Sequence, residues 1–409
     1  MLYIPLAKPI QNFPCAFGGR KDSVSIPVCD SLHKGFLPNP LQYRKPADAG
    51  VDDARLEAAL QVVAAEVTAA RLPGAVVAVV RNGAVVAHRA MGWAQFNPEP
   101  ERRPMAPDTI FDLASLTKVM ATLPSVLYLL ERGAFRLDDR VADFFPSFAG
   151  EGKAEVRIRH LLTHTAGLAP WLPLEQEPAP RPELIERILT APLQESPPGR
   201  TVIYSDLGFI LLGELVAKVS GQPLDRFAKE HIFFPLHLPE AGFNPPAHWR
   251  DRCAATEYRE GLGRHQVGEV HDERSTVLGG VAGHAGLFAT AAEVAAYGQM
   301  WLQGGLAGGH QILSPATIAA ATCDLTRYST DSRGLGWIVL RQGAECMSCG
   351  DLFMPGAFGH TGFTGTSLWL DPARQLAVAL LTNNVHFGRS DVAIRLRPRF
   401  HNAVAAAVL

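Results

Sequence analysis

The sequence predicts an α+β fold: an antiparallel sheet built from both ends of the chain, flanked by helices, with an all-helical lobe inserted. Three observations carry this. Two strand-like runs joined by Asn82-Gly83 stand early, within Ala75 to Ala90. Comparable strand signals do not return until Gly334. Between them, from Ser115 to about Leu238, apolar residues recur at helical spacing, broken by Pro/Gly-rich connectors.

Residues 1–50 read as an irregular arm, with prolines from Pro5 to Pro46 and little periodicity. The arm lacks the basic start, apolar middle and small-residue cleavage site of a secretory signal. The chain as given therefore reads as cytoplasmic, or extracytoplasmic if its start is mis-assigned. Val51 to Leu72 is helical, with Leu56, Leu60, Val63 and Val67 on one face, Asp52 or Asp53 as cap and Pro73-Gly74 as stop. Ala75 to Val80 and Val85 to Ala90 form the hairpin. Ser115 to Arg132 reads as one long helix ending at Gly133. Further helices are predicted over Ile158 to Thr165, Pro182 to Leu189, Asp206 to Val219 and Asp225 to Phe234. Late strands are predicted over Gly334 to Leu340, Ala357 to Thr361, Thr366 to Leu370 and Gln375 to Thr382, and a terminal helix from Arg389. This order assigns residues 51–110 and 280–409 to a sheet lobe and 111–279 to a helical lobe.

The 409 residues exceed one ordinary core, which agrees with two lobes. A formal charge of -2 gives no electrostatic reason to expect nucleic acid. Arg395, Arg397 and Arg399 read as a solvated helix face. No stretch reaches the roughly 18 uninterrupted apolar residues of a membrane span. Six cysteines are too sparse for a disulfide framework. Cys346 and Cys349 make one C-x-x-C with no second ligand pair, so they read as loop cysteines rather than a zinc or redox site. His160 and His164 lack the Glu of H-E-x-x-H, and no metal is expected there. Nothing in the sequence indicates an oligomeric state.

Chemistry gathers in three places. In Ser115-Leu116-Thr117-Lys118, residues three apart share a helix face, so the Lys118 amine can reach the Ser115 hydroxyl. A helix start there supplies positive potential. It can lower the lysine pKa, giving a base for the serine, and stabilise charge developing on an attacked carbonyl. Tyr204-Ser205-Asp206 opens another helix, and a tyrosine beside a lysine can relay protons. Asp206 or Ser205 serves equally as a plain N-cap there. His360-Thr361-Gly362, followed by Phe363, closes a strand. A strand-edge N–H there and that of Ser115 can form a two-donor oxyanion hole. Each motif alone is commonplace; their order and context are not.

In that order the chain resembles the serine β-lactamase and penicillin-binding protein superfamily, most closely its class C-like branch of esterases, DD-peptidases and amidases. The resemblance runs from about Ala49 to Leu409. It includes His160-Leu-Leu-Thr-His-Thr-Ala-Gly-Leu168, Leu278-Gly-Gly-Val-Ala-Gly-His-Ala-Gly-Leu-Phe288 and Gly359-His-Thr-Gly-Phe-Thr-Gly-Thr366. It implies a β-lactamase/transpeptidase-like fold and a two-step acyl transfer to water without metal or organic cofactor. The substrate would be an ester, amide or peptide-like small molecule. Ser115 would form the acyl-enzyme, Lys118 would take or assist its proton, and Tyr204 would protonate the leaving group. His360 and Thr361 would line the pocket near a substrate carboxylate, Gly362 would close the strand, and the Phe363 N–H would join that of Ser115. Asp206 would sit among the substrate contacts. The alternative is a catalytically silent relative using the cleft for binding or assembly.

Two departures bear on substrate. Asp206 stands where the family often has Asn, and a carboxylate cannot donate to a substrate amide carbonyl. His360 stands where many β-lactamases have Lys, which weakens the hold on a carboxylate. Both predict weak β-lactamase activity at most. Val270-His271-Asp272-Glu273 resembles a stretch in a subgroup with muropeptide-type amidases and reads mainly as a loop anchor, with substrate contact as the alternative. His284, in the Gly-rich loop, reads in the same way, with pocket lining as the alternative.

Overall fold

The hairpin at Asn82-Gly83 lies inside a nine-stranded sheet. The computed structural model describes residues 28–30, 41–194, 197–343 and 348–409. In chain order the strands are β1 (Val28–Asp30), β2 (Gln42–Tyr43), β3 (Gly74–Arg81), β4 (Ala84–Gln95), β5 (Arg103–Pro104), β6 (Ile338–Val339), β7 (Phe358–Thr361), β8 (Ser367–Asp371) and β9 (Leu376–Thr382). Their spatial order is β1, β4, β3, β9, β8, β7, β6, with β2 and β5 also on β4. The two chain ends meet where β3 pairs antiparallel with β9, from Ala75 opposite Thr382 to Arg81 opposite Leu376. Among the described residues, only β2 joins this sheet parallel. Asn82 and Gly83 both have positive φ, 52° and 76°, as a two-residue type I′ turn requires.

Five helices fix the layers: α1 (Asp53–Thr68), α2 (Leu123–Glu131), α3 (Asp206–Ser220), α4 (Ala291–Leu302) and α5 (Val392–Ala407). The β3 side chains alternate between two cores. Val77 and Val79 join Leu60 and Val63 of α1 and Phe400 and Val404 of α5 on one face. Val76, Ala78 and Val80 join Val294 and Met300 of α4, and α2 and α3 beyond them, on the other. Both faces are covered, so β3 and β9 read as unbroken apolar runs. A second, three-stranded sheet joins Ile110–Asp112 to Leu287–Thr290 and Gly242–Phe243, and delivers the chain to Ser115. Among the described residues, no single helix is long and apolar enough to cross a membrane.

Several elements differ from the sequence expectation. Ser115 to Arg132 is not one regular helix: Lys118–Thr122 is wound as a π-helix before α2 begins. Pro124 supplies no N–H, and the wider turn leaves the Val119 carbonyl to accept from the Tyr297 hydroxyl. The helix predicted over Ile158 to Thr165 stops at Leu162, because His164 adopts a left-handed φ of 57°. The strand predicted over Gly334 to Leu340 shrinks to Ile338–Val339, since Gly336 turns at φ 74° and its amide bonds to the Leu162 carbonyl. The terminal helix starts at Val392 rather than Arg389, and Pro398 lies within it. The arm is not irregular throughout, because Val28–Asp30 and Gln42–Tyr43 extend the sheet. The Cys346–Cys349 pair cannot be described as a unit, since Cys346 lies outside the described residues.

Candidate active site

The segment before Ser115 is held from below. The Asp112 carboxylate accepts from the Ala114 N–H at 2.8 Å and the His271 N–H at 2.6 Å, which lets Ala114 take a φ of 46°. Ser115 follows in that turn, one residue before the helix. The Lys118 side chain, fully buried, comes back to it: Nζ lies 3.0 Å from Ser115 Oγ.

Lys118 Nζ has two further acceptors, Asp206 Oδ1 at 2.8 Å and the His284 carbonyl at 3.1 Å. Three donors meeting three acceptors is the arrangement of an ammonium. Burial alone would push its pKa down, but the Asp206 carboxylate and the Tyr204 hydroxyl outweigh that and leave it raised. This corrects the expectation of a lysine made neutral by the helix start: the controlling group is a carboxylate 88 residues further along. Asp206 itself is opposed by burial, but Lys118, His284 and Arg274 hold its pKa down, so it is ionised. Its Oδ2 faces Arg274 at 3.5 Å. Both oxygens are thus engaged by cations, not offered to a substrate amide. Arg274 also pairs with Asp272 at 2.8 Å, and Asp272 accepts from His284 Nε2 at 2.8 Å. His284 is buried and serves this network, and Asp272 also caps a short helix through the Ser275 N–H. Asp206, Asp272 and His284 place three ligand atoms within 4.8 Å of one another. Lys118 and Arg274 already neutralise those carboxylates, which disfavours a metal cation there.

Glycine makes this contact possible. A Cβ on Gly283 would stand 1.9 Å from the Phe209 carbonyl of α3. Only without one can the Gly-rich loop lie on α3, where its carbonyls reach Thr122 Oγ1 at 2.7 Å and Lys118.

Tyr204 precedes the N-cap Ser205 of α3, and its ring centroid is 5.0 Å from Lys118 Nζ. It packs on His164 at 4.5 Å and faces His360 at 6.0 Å. His164 is a brace: its Nδ1 accepts from the Ser205 N–H at 3.0 Å. His160 is another, with Nδ1 accepting from the Arg157 N–H at 3.1 Å. The two rings are committed separately, which gives no paired metal site.

The opposite wall is β7 and the turn after it. His360 Nδ1 is 2.8 Å from the Thr361 carbonyl, so it carries the proton and Nε2 is the bare acceptor. Nε2 is buried without a partner. Burial first, then the charges of Lys118 and Arg333, push the His360 pKa well below its usual value, so the ring is neutral. A Cβ on Gly362 would lie 2.2 Å from Thr366 Oγ1 and 2.3 Å from the Leu113 carbonyl, so this crossing is closed to other residues. Phe363 turns its ring outward, half exposed, onto His271 at 5.7 Å. Among the described residues, neither the Ser115 nor the Phe363 backbone N–H has a hydrogen-bond partner.

Ser115, Tyr204, His360, Thr361, Gly362 and Phe363 line one cavity of about 570 Å³. Lys118 and Asp206 sit behind it. Three arginines that the sequence reading did not place here also line it, Arg333, Arg389 and Arg397. Arg333 lies 5.6 Å from the Tyr204 ring centroid and pairs with Asp331 at 2.8 Å. Arg397, expected on a solvated face, is buried. A spacing of two residues sets it across the helix from Arg395 and Arg399, which was the available signal.

The chain matches the family model described as "Beta-lactamase" over residues 59–401. It is 35% identical to "Putative D-alanyl-D-alanine carboxypeptidase" of Escherichia coli K12, across 68% of this chain and 70% of that protein. It is 34% identical to "N-acetylmuramyl-L-alanine amidase" of Bacillus subtilis, across 78% of each. A solved penicillin-binding protein homolog from Caulobacter crescentus superimposes with a TM-score of 0.68 at 26% identity, covering 87% of this chain and 99% of that one. The chain therefore belongs to the Beta-lactamase family, and so to the serine hydrolases that work through an acyl-enzyme.

Proposed function

We propose that this protein is a peptidase or amidase of the class C-like branch, acting on cell-wall-type peptide fragments through an acyl-enzyme on Ser115. The observation that carries this reading is the 3.0 Å contact between Lys118 Nζ and Ser115 Oγ at the wall of an open cavity. The names of the D-alanyl-D-alanine carboxypeptidase and muramyl-alanine amidase relatives support the substrate class.

In this mechanism Lys118 acts as an ammonium. It donates to Ser115 Oγ and stabilises the alkoxide as it develops. The Ser115 proton passes to Tyr204 as the Tyr204 proton passes to the leaving group, so the relay is neutral overall. The Ser115 and Phe363 N–H groups receive the carbonyl oxygen as it becomes an oxyanion. Water then repeats the sequence in reverse and releases the acid. Asp206 serves through Lys118 rather than by touching substrate. The neutral His360 supplies no cation for a substrate carboxylate, which weakens the hold on β-lactams and on free C-terminal carboxylates alike.

Intact mass after incubation with a fluorophosphonate and, separately, a penicillin tests this on wild type and Ser115→Ala. The expected result is a fluorophosphonate adduct on Ser115, absent from the variant, with a slow penicillin adduct at the same residue. A fluorophosphonate adduct alone moves the substrate toward simple esters. No adduct with either reagent overturns the enzymatic reading and leaves the cleft as a binding site.

A further inference from the structure

Arg397 carries a charge that the chemistry above leaves unused. Its guanidinium lies under the turn that follows β7, where Nη2 donates to the Gly362 carbonyl at 2.8 Å and the Thr366 carbonyl at 3.0 Å. Nε is buried with no partner. Among the described residues no carboxylate pairs with it, whereas the neighbouring Arg399 reaches Glu66 at 3.0 Å. A buried guanidinium without a counter-charge is unfavourable, so its carbonyl contacts need a reason beyond packing. Bracing alone is a weak one. The same turn is already tied to the strand before Ser115 by Thr364 Oγ1 on the Asp112 carbonyl at 2.7 Å and Thr366 Oγ1 on the Leu113 carbonyl at 3.0 Å.

The Gly362 carbonyl and the Phe363 N–H belong to one planar, conjugated peptide unit. We infer that Arg397 is a positioning residue of the oxyanion hole, its cation on the Gly362 carbonyl polarising the Phe363 N–H that faces the cavity. A donor on the oxygen draws electron density from nitrogen to oxygen, and the N–H on the far side becomes a stronger donor. The positive charge also stands behind the peptide dipole, adding potential where the oxyanion forms. The low-dielectric setting that makes the group costly is what gives it reach. The inference rests on the proposed acyl-enzyme chemistry, with the Ser115 and Phe363 amides as the oxyanion donors.

Removing a whole oxyanion donor typically costs about 10²–10³ in rate. Weakening one by loss of its polarising partner is expected to cost roughly tenfold. The test uses the full chain as wild type, Arg397→Met and Arg397→Lys. It measures kcat and KM on p-nitrophenyl butyrate, and the ester carbonyl stretch of a cinnamoyl acyl-enzyme. Arg397→Met should lose about tenfold in kcat with KM within about twofold, and its carbonyl stretch should move to higher frequency as the hydrogen bond weakens. Arg397→Lys should fall between it and wild type in both readouts. An unmoved carbonyl frequency overturns the inference, whatever kcat does, since bracing alone would not move it in step with rate. If Arg397→Met fails to fold by near-ultraviolet circular dichroism, the Arg397→Lys frequency decides in the same way. Labelling of wild-type Ser115 by the fluorophosphonate, with frequencies unchanged among variants, defeats this inference only. No wild-type labelling defeats the functional reading beneath it.

Discussion

The two walls of the cleft handle charge in opposite ways. On the helical side, Lys118, Arg274 and His284 face the carboxylates of Asp206 and Asp272. On the sheet side, His360 is neutral with a bare Nε2, and among the described residues Arg397 has carbonyls but no counter-ion. The first wall pairs its cations with carboxylates; the second sets a neutral ring and a guanidinium held only by carbonyls beside the cavity. Proton positions are therefore fixed by the first wall, while the second is left to recognise the incoming oxyanion and substrate.

Ser115→Ala breaks the comparison most completely, because it removes the atom both walls serve. Hydrolysis of p-nitrophenyl butyrate should fall by about 10⁴ or more, with the remainder from oxyanion donors and binding. A folded variant retaining a tenth of the activity would mean that another residue is the nucleophile. Asp206→Ala should come next. It strands a buried ammonium, and removing one partner of a buried pair typically costs about 3–5 kcal/mol. Urea unfolding measures this. A loss below about 1 kcal/mol, the scale of an exposed pair, would mean that the network is open to solvent.

Asp206→Asn is a milder change that separates two roles for Lys118. Replacing the carboxylate by an amide removes the charge that holds the lysine pKa up, so that pKa falls. If the ammonium is the active form, the basic limb of the kcat/KM profile moves to lower pH. If a neutral lysine is the base, the acid limb moves to lower pH instead. The structure leads us to expect the first. The same variant gains an amide donor, so its penicillin acylation should quicken relative to wild type.

What the sequence made legible follows the same division. Ser115 stands in the turn just before the helix that carries Lys118, three residues on, and local geometry alone brings them together. The β3–β4 hairpin was legible because Asn82-Gly83 fixes its turn. The charge state of Lys118 was not, since it is set by Asp206 from another helix. Arg397 was hidden because three arginines at alternate positions read as a solvated face, although a spacing of two places them on opposite sides of a helix. The neighbours Leu396 and Phe400, both buried, show which side faces the core. Gly336, in a run otherwise fit for a strand, delayed the start of β6 by turning to make a backbone contact.

The smallest effect concerns the neutral histidines. Burial lowers His88 and His401 to about 4 and His386 to about 3, and holds His164 and His360 well below the usual value. In the unfolded chain each would titrate near pH 6.5. Below that pH the unfolded state binds protons that the folded state refuses. Stability is thus fully present above about pH 6.5 and is lost as pH falls toward the folded pKa values. Each such histidine contributes a slope of about 1.4 kcal/mol per pH unit inside that window. His360→Asn should therefore leave a stability profile shallower by one proton between pH 6 and about 5, whatever its effect at pH 8. An unchanged slope would mean that His360 is protonated in the folded cleft. The sheet-side wall would then carry a further cation beside that of Arg397, and His360 would no longer be the neutral acceptor that sets this wall apart.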